Sequence, residues 1–157
     1  MQFHPDDPSA LIEAVFERIR IERMQGLPML NPALAVAAAG FLRHGQRGEE
    51  WRGVLVTPWG INLLLLPAVA GWPVPEPHER AFRAYPAGTF AFLANREEGL
   101  GAYLACPLIS DMQPFADQDI ALQTARACLI ALDLPRGAQP VEAPVSPSRR
   151  KLFGLRD

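Results

Sequence analysis

The sequence predicts an α+β fold of two layers, in which a mostly antiparallel sheet of four or five strands packs against an N-terminal and a C-terminal helix. Apolar residues recur at helical spacing near both ends of the chain, and apolar runs of strand length, separated by turn residues, lie between them. A sheet with its helices on one side is a stable arrangement of such elements. We assign residues 1–134 to a single domain and residues 135–157 to a flexible, Pro-rich tail that ends in a basic segment.

The N-terminal helix is predicted from DDPSALIEAVFERIRIERMQG. Asp7 can cap it, Pro8 suits the first helical position, and Gly26 and Pro28 can end it. The residues expected to face the core recur at helical spacing: Ile12, Val15, Phe16 and Ile19.

Three segments predict the first part of the sheet. NPALAVAAAGFLRHG suits either a helix or a strand, and we favour a strand because the residues after it continue a sheet. GVLV and INLLLL read as two strands joined by the turn at residues 57–60, and Pro67 ends the second. Both faces of this hairpin are apolar, so either helices cover one face and a partner the other, or the strands are central.

The second half of the chain predicts a long loop, a hairpin and a helix. We expect a loop over residues 68–87 with a short ordered piece near Phe82–Tyr85, and then strands at 88–95 and 99–108 with REE at their turn. Asp117 is the predicted cap of the C-terminal helix. The inner stripe of that helix is predicted to comprise Ala121, Ala125, Cys128, Leu129 and Leu132.

Composition excludes several classes of protein. The segment between Arg52 and Glu76 carries no charge, but its four prolines would break a membrane helix, so we expect no membrane insertion. A net charge of −2 argues against nucleic-acid binding. The N-terminus shows neither a basic nor an apolar signal region, which predicts a cytoplasmic protein.

No catalytic or cofactor motif is evident in the sequence. Cys106 lies in the apolar run YLACPL, which favours a buried, unreactive thiol, although a small redox factor or enzyme that uses Cys106 is an alternative. His4, His44 and His78 lack metal-binding spacing and are expected at the surface, and the pair Glu49–Glu50 is expected in a solvated turn. We therefore expect a non-enzymatic protein without a cofactor.

Apolar side chains at turns and loops are the remaining signal. Four large apolar residues lie in predicted turns and loops, which are normally exposed to solvent: Trp59, Trp72, Met112 and Phe115. In addition, the hairpin that carries Leu63 and Leu65 is apolar on both faces. Aromatic residues and methionine are enriched at interfaces, and large exposed apolar patches are rare unless they bind something. These six residues are therefore predicted to bind a partner polypeptide, with a homodimer as a further possibility.

Four motifs in order resemble the HybE-type chaperones of [NiFe]-hydrogenase assembly: VTPWGINLLLLP, YPAGTF, AYLACPLISDM and RRKLFG. The resemblance covers residues 27–156. It implies a cytosolic maturation factor with a secretion-chaperone-like α+β fold, whose partners are the hydrogenase small-subunit precursor before twin-arginine export, the large subunit or other maturation proteins. One departure is Pro107, where the family has a residue with a backbone donor. Pro107 is expected to end its strand early.

The C-terminal SRRKLFG resembles the twin-arginine export motif itself, although it lies at the opposite end of the chain from a signal peptide. Arg149 and Arg150 are therefore candidate partner-binding residues. One interpretation is a tethered mimic that occupies the client site until a client displaces it. The other, which we favour, is a solvated basic tail.

Overall fold

The computed structural model describes residues 2–136. Its centre is one antiparallel sheet of six strands in the order β1-β2-β3-β6-β5-β4. The elements in chain order are α1 (Ser9–Ile19) with a π-helical extension (Arg20–Met24), β1 (Ala37–His44), β2 (Glu50–Thr57), β3 (Gly60–Pro67), β4 (Arg80–Tyr85), β5 (Gly88–Glu97), β6 (Gly101–Ile109) and α2 (Gln118–Leu132).

The two helices lie on opposite faces of the sheet, so the fold has three layers and not the predicted two. Along β3, Leu63 and Leu65 join the core beneath α2, whereas Leu64 and Leu66 join the core beneath α1. Because side chains alternate across a strand, these two cores are on different sides. The apolar hairpin β2–β3 is therefore central, and helices of the chain itself cover both of its faces.

Helix α1 forms where its apolar spacing predicts, with Ile12, Val15, Phe16 and Ile19 buried. It begins one residue later than expected, because Pro8 precedes the first turn, and the carboxylate of Asp7 accepts from the backbone N–H of Ser9 at 2.9 Å. The helix and its extension end before Gly26, whose φ of 84° is the left-handed conformation that favours glycine after a helix.

Strand β4 is the sixth strand, which the sequence suggested only as a short ordered piece in a loop. It pairs with β5 over six consecutive residues and forms one edge of the sheet. The other corrected boundary is that of β6, which continues past Pro107 to Ile109. The register shifts between Ile61 and Asn62 opposite this point, and such an irregularity lets a strand accommodate the missing donor of proline.

The C-terminal helix confirms its predicted cap. The Asp117 carboxylate accepts from the N–H of Ile120 at 2.9 Å. Its predicted inner residues are buried except for Leu129, which packs at the edge of the core. Within the described residues, no helix combines the length and the apolar character needed to cross a membrane.

Candidate functional site

The predicted partner-binding residues divide into three groups. Leu63, Leu65, Trp72 and Met112 are buried in the core beneath α2, so the expectation that this set is exposed is wrong for these four. Trp59 and Phe115 are half-buried and pack on the rims of the two cores. Arg149 and Arg150 lie outside the described residues.

Polar anchors explain why two of the loop residues turn inward. The indole N–H of Trp72 donates to the Glu50 carboxylate at 2.9 Å, so the long loop folds back onto the sheet. The side-chain amide of Asn31 donates to the carbonyls of Met112 at 2.9 Å and of Phe115 at 2.8 Å. That pair of bonds holds the loop after β6 and leaves Met112 only 1% exposed.

A different apolar surface is exposed on the side of the sheet that carries α1. The core beneath α1 takes its strand residues from β1, β2, β3 and β6, and among the described residues none comes from β4 or β5. We call the uncovered part of this side the open face, and it comprises Arg80, Phe82 and Ala84 of β4, Thr89, Ala91 and Leu93 of β5, and Pro107 of β6.

The open face is apolar apart from Arg80 and Thr89. Phe82 is 59% exposed and Leu93 is 39% exposed, and each lies in a cross-strand pair, Phe82 with Ala91 and Leu93 with Arg80. On the opposite side of the same two strands, Phe90 and Phe92 are buried in the core beneath α2. The exposure is therefore specific to one face and is not a sign of an unpacked hairpin.

A buried polar cluster lies at the end of α2 and was missed by the sequence analysis. Glu50 is buried and accepts from Arg83 as well as from Trp72, so it is not in a solvated turn. Nearby, the buried guanidinium of Arg52 pairs with Asp133 at 2.6 Å and lowers the pKa of that carboxyl. These contacts tie the long loop and the end of α2 to β2, which is a structural role.

The described residues offer no evident catalytic centre. Cys106 is 7% exposed in the core, and burial raises the pKa of its thiol to about 11, so the reactive thiolate is scarce at neutral pH. Within residues 2–136, no group of three or more His, Cys, Asp and Glu side chains could hold a metal ion. The geometry does not favour the alternative in which Cys106 serves a redox factor or enzyme.

Comparison with known proteins gives consistent relatives. The chain is 37% identical over 142 residues to the hydrogenase expression/formation protein HupT of Azotobacter chroococcum mcd 1, a match that covers 90% of this chain and 91% of that protein. It is 29% identical over 152 residues to the hydrogenase-2 operon protein HybE of Escherichia coli K12, covering 95% and 90%. It is also 40% identical over 125 residues to the probable rubredoxin HupJ of Rhodobacter capsulatus, covering 79% of this chain but only 44% of that protein.

The fold has a counterpart of known structure, the solution structure of HybE from Escherichia coli. The TM-score is 0.70 at 24% sequence identity, over 93% of this chain and 91% of that one. The family described as [NiFe]-hydrogenase assembly, chaperone, HybE matches residues 7–155. The protein is thus of the class of chaperones that act in hydrogenase assembly. The chain belongs to the HybE family of [NiFe]-hydrogenase assembly chaperones.

Proposed function

We propose that this chaperone acts in the cytoplasm without catalysis and binds the hydrogenase small-subunit precursor, near its twin-arginine signal region, before export. The large subunit and other maturation proteins are further candidate partners. The family supports a role in hydrogenase assembly, and the open face supports the kind of contact: an apolar segment of a client polypeptide.

The observation that carries the proposal is the exposure of Phe82 and Leu93 on a regular, well-packed sheet. Burying one such side chain contributes about 1.5 to 3 kcal/mol before ordering costs are subtracted. Two or three such contacts contribute about 3 to 9 kcal/mol before those costs, and a micromolar complex corresponds to about 8 kcal/mol, so Phe82 and Leu93 need further contacts from the client to reach that affinity. A complex of that strength can still release its client to the next step of assembly.

The half-buried residues Trp59 and Phe115 remain candidates for additional contacts. Trp59 lies in the β2–β3 turn on the side of the sheet that carries α1, which is also the side of the open face. Phe115 packs on the core beneath α2, on the other side of the sheet. A client that covers the open face can therefore extend toward Trp59 more directly than toward Phe115.

The test is a titration of the small-subunit precursor against the purified chain and its variants. The double variant Phe82→Ser with Leu93→Ser removes the apolar surface and should weaken binding at least tenfold. The matched control is Ile130→Ser, which removes an apolar side chain that is 66% exposed on α2, away from the open face. This control should bind as the unmodified chain does.

Equal affinity of the double variant and the control would refute the role of the open face. Trp59→Ala provides a second comparison, because an unchanged affinity would remove the β2–β3 turn from the binding surface. Light scattering at several concentrations must accompany the titration. If the open face served a homodimer, the double variant would lower the molecular mass and leave client binding intact.

A further inference from the structure

The two edges of the sheet differ in how they present their backbone. At the β1 edge, the N–H of Ala38 donates to the Glu13 carboxylate of α1 at 2.9 Å, and the strand is interrupted by a bulge at Gly40, where φ is 69°. Both devices block the addition of another strand. The β4 edge has neither device. Its register with β5 is unbroken over six pairs, and no side chain of residues 2–136 accepts from the outward N–H groups of this strand.

The outward-pointing groups of β4 follow from the hydrogen bonds at its start. The N–H of Ala94 in β5 donates to the carbonyl of Glu79 at 2.8 Å, so that facing pair is hydrogen-bonded. Hydrogen-bonded and non-hydrogen-bonded pairs alternate in an antiparallel ladder. The N–H and C=O groups of Arg80, Phe82 and Ala84 therefore point away from β5, toward the outside of the sheet.

Almost nothing within residues 2–136 occupies this outer row. The carbonyl of Phe82 accepts one bond from the Arg83 guanidinium at 3.2 Å and keeps a second lone pair. The same three residues carry their side chains on the open face. A free strand edge and an exposed apolar surface thus meet along one line.

We propose that β4 receives an extended segment of the client as a seventh strand of the sheet. The inference rests on the proposed function, since it specifies how the same client is held. An extended polypeptide is the ligand class whose backbone satisfies a row of donors and acceptors at strand spacing. Its alternate side chains then extend the open face beside Phe82, so the segment recognised has apolar residues at every second position.

The charge at the β4 edge indicates a further property of the client segment that binds there. Arg80 is exposed at one end of the row and forms no ion pair with the described residues. Arg83, by contrast, points to the other face and is paired with Glu50. A carboxylate in the client strand beside Arg80 complements this cation, and a basic residue at that position disfavours binding.

Hydrogen exchange of the full chain provides the direct measurement. In the complex with the small-subunit precursor, the amides of Arg80, Phe82 and Ala84 should exchange at least tenfold more slowly than in the chaperone alone. The amide of Ala38, which already donates to Glu13, should change little. If the complex forms and these three amides stay unprotected, the edge is not used and the proposed function stands without it.

A backbone variant separates edge pairing from side-chain contact. Ala84→Pro removes only an outward-pointing N–H, and proline is tolerated on an edge strand in that orientation. It should weaken precursor binding about tenfold relative to Ala84→Val, a variant with a side chain of similar size that keeps the N–H at this position. Equal binding by both variants, with the fold of Ala84→Pro confirmed by circular dichroism, would overturn the inference.

Two other occupants of the edge would be revealed by the same data. If the three amides are protected in the chaperone alone and the protection grows with concentration as the mass doubles, the occupant is a second copy. If the protection is independent of concentration and disappears when residues 148–157 are removed, the occupant is the C-terminal segment. Either result overturns the inference of a client strand, and a precursor that does not bind at all overturns both proposals.

Discussion

Single polar contacts decide the position of several side chains in this protein. His4 was expected at the surface, but it is buried, with its ring Nε2 3.0 Å from the carbonyl of Leu100 and its own carbonyl accepting from the indole N–H of Trp51 at 2.7 Å. The partners are separated by 96 residues and by 47 residues in the chain. The spacing of residues along the sequence does not predict contacts between such distant segments. For the same reason, the burial of Trp72 was not predicted.

The burial of His4 makes stability depend on pH. Burial lowers the pKa of His4, and its bond to the Leu100 carbonyl offsets this only in part. The unfolded chain therefore binds this proton at a higher pH than the folded chain does. His4 does not reduce the free energy of unfolding above about pH 6.5, and it reduces it increasingly as the pH drops below that value. His4→Gln should flatten this fall between pH 7 and pH 5 in urea titrations.

His44 contributes in the same direction, because burial and then the charge of Arg52 lower its pKa, so the flattening by His4→Gln should be partial. A variant whose stability curve ran parallel to that of the unmodified chain would show that His4 takes up its proton equally in both states.

At the level of elements, the sequence predicted those with strong local signals. Both helices, the hairpin β2–β3 and the hairpin β5–β6 are confirmed within a few residues. β4 was missed because it is an edge strand whose burial alternates between exposed and half-buried, and flanking prolines made it resemble a loop. The alternation of RAFRAY was the available signal, since residues 80, 82 and 84 point one way and 81, 83 and 85 the other.

The cap of α2 provides a test at this scale. Asp117→Ala removes the acceptor of the Ile120 N–H and should lower the free energy of unfolding by about 1 kcal/mol. Asp119→Ala is the matched control, because Asp119 lies in the first turn but provides no cap, and it should cost only a few tenths of a kcal/mol. Equal losses from the two variants in chemical denaturation would show that charge near the helix start, and not the cap, matters.

At the scale of the whole molecule, long-range pairing decides what local signals cannot. β3 pairs with β6 and not with β4, and the two helices cover opposite faces, so the order of strands and the number of layers depend on contacts between distant segments. The candidate site follows from the same pairing. The open face exists because the outer hairpin β4–β5 extends the sheet beyond the reach of α1, which no local motif encodes.

The sealed core beneath α2 predicts slow chemistry at its thiols. Cys106 and Cys128 are both buried there, and the raised pKa of Cys106 further suppresses the thiolate. A thiol reagent at pH 7.5 should label the native chain at least a hundredfold more slowly than the unfolded chain, at a rate set by opening of the structure. Labelling of Cys106 as fast as that of an unfolded control would restore the case for a thiol-dependent activity.

The pairing of β3 with β6 affects how the sheet forms while the chain is being synthesised. β3 ends at Pro67 and its partner begins only at Gly101, so the leucine-rich strand leaves the ribosome well before the neighbour that will cover its free side. At a synthesis rate of about 5 to 20 residues per second this interval lasts roughly 2 to 7 seconds. During that time one edge of β3 is unpaired and exposed, and an unpaired apolar strand edge can pair with other chains.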